Sequence, residues 1–195
     1  VGAPIFARAD GVAARQASVV VGGDADAFAR ARPLLDATAS GVWHFGADAG
    51  AGNVVKLCGN FLIASAIESC AEACTLAERS GLDREAVMGM LSSTLFDCLL
   101  YRGYGARVAA RQHTVGEPLV GPGFQLDLGR KDVGLVMDVA AAVGVPMPIG
   151  AALSTRFCQA AANGLGKRDW SAISLCVSSD AGDAGWGDGA KRQRT

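Results

Sequence analysis

Gly50-Ala51-Gly52-Asn53-Val54-Val55-Lys56-Leu57-Cys58-Gly59-Asn60-Phe61-Leu62 opens the longest helical pattern in the chain. Small residues give way to an apolar run holding one lysine and one asparagine. Their spacing of four puts Lys56 and Asn60 on one helix face, a turn apart, and Asn53 extends the stripe. A lysine among Val, Leu, Cys and Phe has two readings. Its stem can lie on the apolar surface while its amine reaches water. Or its apolar surroundings can tune the amine as a general acid/base, with the amide of Asn60 holding a substrate without titrating. Gly50-Ala51-Gly52 lacks the preceding strand, third glycine and later acidic residue of a dinucleotide fingerprint, so it reads as a hinge at a helix start.

Around this helix the chain changes character. Val1–Phe6, Ser18–Val21 and Val42–Phe45 read as short strands, and Asp24 caps a helix over 25–38 whose Phe28, Leu34 and Leu35 face one way. That rhythm belongs to an α/β sheet, here with too few strands for a complete doubly wound domain. From Asn53 onward helices dominate. The pattern predicts helices over 53–79 (ended by Gly81), 83–91, 96–111, 124–143, 149–163 and 170–177, with a Gly/Pro-rich loop at 113–123. The expected fold is mainly α. Residues 1–46 are the end of an α/β domain, 47–52 a hinge, 53–177 an all-helical domain and 178–195 a disordered tail.

The composition narrows the partners. The 195 residues are 50% hydrophobic and 19% charged, with net charge −1, so no basic footprint for nucleic acid exists. No apolar run reaches the roughly 18 residues a membrane helix needs. The start at Val1 carries no signal-peptide pattern, and the chain reads as a fragment of a cytoplasmic protein. The cysteines at 58, 70, 74, 98, 158 and 176 form no CxxC or Cys/His cluster, which points to buried free thiols rather than a disulfide or metal framework. In Phe124–Val133, the charges of Arg130, Lys131 and Asp132 interrupt an apolar pattern and read as an exposed helix face.

These residues resemble the β-hydroxyacid dehydrogenase family, which includes 3-hydroxyisobutyrate, tartronate-semialdehyde and 6-phosphogluconate dehydrogenases. Gly50, Gly52, Lys56 and Asn60 match its pattern GxGxxxKxxxN. Phe124, Leu128, Lys131, Asp132 and Val133 match its later F-x-x-x-L-x-x-K-D-hydrophobic pattern. Glu68–Gly81 is similar to the family's continuation of the interdomain helix, and Val1–Gly23 to the end of its cofactor domain. The likeness is collinear over about residues 1–176.

The resemblance implies an N-terminal Rossmann domain that binds NAD or NADP, a helical C-terminal domain, and a homo-oligomer built through that helical domain. It implies Lys56 as catalytic general acid/base, Asn60, Gly52 and Phe124 as contacts to a small carboxylate substrate, and Lys131 as a cofactor contact. The family's GxGxxG is absent from this chain, so the chain alone is expected to bind NAD(P) poorly. Where the family has a substrate-binding Ser-Gly-Gly, this chain has Phe6-Ala7-Arg8. Phe6 then lines the substrate site, and Arg8 is either a bidentate carboxylate partner or a surface arginine. The expected reaction is hydride transfer between a nicotinamide and a small 3-hydroxy acid or its semialdehyde partner. The rivals are an imine-reductase-like enzyme, whose relatives commonly lack the lysine, and a non-catalytic dimerisation module.

Overall fold

A computed structural model describes residues 1–113 and 123–183. Its described elements are strands β1 (Ile5–Phe6), β2 (Ala17–Val21) and β3 (Ala39–His44), and helices α1 (Ala9–Ala13), α2 (Ala25–Asp36), α3 (Ala51–Arg79), α4 (Arg84–Ser93), α5 (Ala106–Ala109), α6 (Leu126–Ala142), α7 (Pro148–Ala162) and α8 (Ile173–Asp180). The chain is mainly helical with a partial Rossmann-like region, as the patterning predicts. It divides into two compact units, 1–62 with 132–150 and 63–131 with 151–195. The sheet unit therefore takes in the first twelve residues of α3 and most of α6.

In the first unit the strand order is β1-β2-β3. β1 runs antiparallel to β2, with Ile5 opposite Val19, and the Gly2–Gly22 bridge prolongs that pairing. β2 and β3 are parallel, as the intervening α2 requires. Ala17, Val19, Val20 and Val21 are buried, which explains the nearly continuous apolar run of this central strand. Asp24 caps α2 by accepting the Ala27 N–H at 2.9 Å.

The expected apolar face of α2 is only partly right. Phe28 stacks on His44 with ring centroids 4.6 Å apart, but Leu34 is 73% exposed. Positions 28 and 35 are seven apart and share a face, which Leu34 leaves by about 100°.

The start of α3 lies against the end of β2. A Cβ on Gly22 would come within 2.3 Å of the Asp48 carbonyl oxygen and 2.9 Å of the Gly52 nitrogen, and one on Gly52 within 2.7 Å of the Val20 carbonyl oxygen. Only bare backbone fits on both sides of this contact.

In the second unit, Ala64, Ile67, Cys70, Ala71, Cys74 and Ala77 of α3 are buried at helical spacing. α3 is also long and apolar enough to cross a bilayer by length and composition, which the sequence reading did not anticipate. A third of its apolar window is buried, along the stripe just named. Asp83 caps α4 through the N–H groups of Glu85 and Ala86. The core is completed by Leu126, Leu153, Phe157, Ile173 and Trp170.

At its centre sits Asp169, fully buried. One oxygen accepts the Phe124 N–H at 2.8 Å, the other the Ser171 N–H at 3.0 Å, and Arg107 lies 3.8 Å away.

Three expectations need correction here. The predicted helix over 96–111 begins only at Leu99 and passes through a π-helical stretch at Tyr101–Gly105, because the Phe96 N–H bonds back to Leu91 and closes α4. The tail predicted from Ser178 does not begin there, since Ser178–Asp180 complete α8; residues 184–195 lie outside the described residues. Cys70, Cys74 and Cys176 are buried, but Cys58 on α3, Cys158 on α7 and Cys98 in the bend after α4 are exposed. Most of the loop predicted at 113–123 also lies outside the described residues.

Candidate active site

Lys56 and Asn60 share a face of α3, as their spacing requires. Asn60 is 6% exposed and donates its side-chain amide to Asp132 Oδ2 at 2.7 Å. Lys56 is half-buried. Its pKa is pushed below the ordinary lysine value by burial, against the pull of the Asp132 carboxylate, which favours the charged form. Phe6 completes the cluster, with its ring centroid 4.1 Å from the Lys56 Nζ. The ring also rests on Gly59, where a Cβ would come within 2.3 Å of it. All five residues belong to the first unit.

This geometry can perform proton chemistry. A half-buried amine exchanges a proton more readily near neutrality than a solvated lysine does. A carboxylate nearby stabilises the ammonium when it forms. Asn60 is oriented by its bond to Asp132, which leaves its amide oxygen to accept from another group.

The remaining site candidates stand as follows. Gly52 is buried, and its packing on β2 accounts for the glycine there. Phe124, in the second unit, is half-buried and packs edge-on against Trp170 with centroids 4.9 Å apart. Arg8 is exposed and precedes α1 as its N-cap residue. Lys131 is exposed on α6, next in sequence to Asp132.

The expected exposed face of Arg130, Lys131 and Asp132 holds for the first two. Asp132 turns in, because one residue step rotates its side chain about 100° around the helix. Asp132 and Gly59 were not among the candidates from sequence. The signal for Asp132 was the charge inside the apolar pattern of 124–133, while nothing local marked Gly59. Among the described residues no group of His, Cys, Asp and Glu could hold a metal ion.

Residues 50–176 match the family described as the NAD-binding domain of NADP-dependent 3-hydroxyisobutyrate dehydrogenase. The chain belongs to this family of NAD(P)-dependent hydroxyacid dehydrogenases.

Among its relatives, 3-sulfolactaldehyde reductase of Escherichia coli is 35% identical over 164 residues, covering 84% of this chain and 53% of that protein. The crystal structure of 3-hydroxyisobutyrate dehydrogenase from Salmonella typhimurium superposes with a TM-score of 0.78 at 29% identity, covering 89% of this chain and 59% of that one. The Mycobacterium tuberculosis 3-hydroxyisobutyrate dehydrogenase determined with L-serine gives 0.75 at 31% identity, covering 90% and 60%. The chain thus spans a little over half the length of these dehydrogenase-family relatives.

Proposed function

We propose that the complete protein transfers hydride between a nicotinamide cofactor and a small 3-hydroxy acid or its semialdehyde partner, with Lys56 as general acid/base. The observation that carries this reading is geometric: a half-buried Lys56 shares one face of α3 with Asn60, whose amide is pinned by Asp132. In oxidation, neutral Lys56 accepts the substrate hydroxyl proton as the carbonyl forms. In reduction, the ammonium returns that proton to the developing alkoxide oxygen. Asn60, pinned by Asp132, accepts from or donates to a substrate oxygen and holds it within reach of Nζ. Arg8 is assigned to the substrate carboxylate.

The nicotinamide supplies, when bound, the acceptor or donor of the hydride. The residues present fit only part of such a group. No GxGxxG occurs in the 195 residues, so the pyrophosphate has no cradle of that kind here. An exposed lysine next to Asp132 does suit an anionic dinucleotide, and Lys131 is assigned to it. The family reading also carries a homo-oligomer joined through helical surfaces. The exposed Leu76, Leu82, Met90, Leu95 and Leu99 support that assignment, and light scattering tests it.

The test of function is steady-state turnover of the complete protein with small hydroxy acids, followed by nicotinamide absorbance. Turnover that depends on Lys56 supports the reading. Turnover that ignores Lys56 refutes it.

A further inference from the structure

The geometry points to Phe6 as the residue that sets substrate class. It selects hydroxy acids whose substituent beside the reacting carbon is apolar and rejects those with a second anionic group. This inference rests on the function proposed above, because it takes Lys56 as the group that meets the reacting oxygen.

Three observations carry it. First, the Phe6 ring centroid lies 4.1 Å from Lys56 Nζ, so the ring covers one side of the amine. Second, the ring is seated on α3 by the missing side chain of Gly59, where even a methyl would come within 2.3 Å of it. Gly59 is three residues from Lys56 and lies on the same face, so this seat holds the ring at the level of the amine. Third, Phe6 is the last residue of β1, and its register opposite Ser18 anchors the ring's backbone to the sheet.

The consequence for a substrate is geometric. A hydroxyl that gives its proton to Nζ sits about 2.8 Å from it. The neighbouring carbon carries the carboxylate, assigned above to Arg8, and a second substituent; with the carboxylate on Arg8, that substituent falls within contact range of the ring. An aromatic face carries negative quadrupole charge, which attracts the lysine cation and repels a carboxylate. The ring offers no donor to replace the water an anionic group would lose there. An alkyl group loses nothing by the same contact and buries apolar surface.

A size-matched pair of acids tests this on the complete protein. 2-(Hydroxymethyl)pentanoate carries a propyl arm, and 2-(hydroxymethyl)glutarate an arm of equal length ending in a carboxylate. The wild type should favour the propyl acid by about tenfold or more in kcat/KM, and Phe6→Ser should shrink that ratio about tenfold. Equal kcat/KM values for the two acids in the wild type, or a ratio unmoved by Phe6→Ser, overturn the inference alone. Turnover of neither acid overturns both the inference and the proposed function.

An NMR measurement on the wild type keeps the inference testable if the variant fails to fold. Nuclear Overhauser contacts between the Phe6 ring and the Lys56 ε-protons, with upfield ring-current shifts of those protons, are expected. Their absence overturns it.

Discussion

Asn60 and Asp132 stand 72 residues apart in sequence and are joined by a hydrogen bond of 2.7 Å from the amide nitrogen to Oδ2. Asp132 also supports the charged form of Lys56, which burial otherwise disfavours. One carboxylate thus orients the amide and moderates the amine. Asp132→Asn keeps the side-chain shape but removes the charge, so the Lys56 pKa should fall further. The acid limb of kcat/KM for hydroxy-acid oxidation, where Lys56 must be neutral, should move to lower pH by about one pH unit. A limb that stays in place would separate Asp132 from Lys56.

The contact between α3 and β2 is backbone on backbone. Gly22→Ala would drive a methyl against the Asp48 carbonyl oxygen at 2.3 Å, and neither side can rotate away. A loss of about 2 kcal/mol or more is expected in denaturant unfolding. Gly134→Ala in α6 is the control, since its Cβ meets nothing within 4 Å. It should stabilise by up to about 1 kcal/mol through helix propensity.

Asp169 is the buried tie between the N-terminal approach to α6 and the turn before α8. Asp169→Ala strips acceptors from the Phe124 and Ser171 N–H groups and leaves Arg107 without this nearby carboxylate. About 3–5 kcal/mol of destabilisation is expected, read by chemical denaturation. Asp169→Asn retains an acceptor and should lose less.

His113 is buried between Ser171 and Ser174, with ring nitrogens 2.9 and 3.2 Å from their hydroxyls. Burial, followed by the field of Arg107 and neighbouring arginines, pushes its pKa down to about 3. The unfolded chain, with His113 near 6.5, binds more protons between those values. Stability should therefore fall as pH drops from 6.5 toward 3. Glu68, whose carboxyl is pushed up by burial, acts in the opposite sense near its own titration. His113→Gln should flatten the dependence of Tm on pH between 6.5 and 5. An unchanged slope would show that other groups govern it.

The lysine–asparagine relationship was legible because a helix converts a spacing of four into a shared face, whatever the tertiary context. The strand at β2 was legible because a β-branched run stops at Gly22-Gly23, and that at β3 because Val42 and the aromatic residues after it stop at Gly46. Other features depend on distant partners. Asp132 looked like one member of a charged face until the fold set Asn60 beside it. Gly59 gains its meaning only when the Phe6 ring arrives from β1. The late start of the helix after Phe96 follows from one backbone bond to Leu91, which no propensity predicts.

The central claim is that Lys56 moves the proton. The direct measurement is kcat of Lys56→Met in the complete protein with its best hydroxy-acid substrate. The variant keeps the apolar stem and removes the amine. A fall of about 10²–10⁴-fold, with nicotinamide binding retained, is the predicted result. Turnover within about tenfold of wild type would contradict the account.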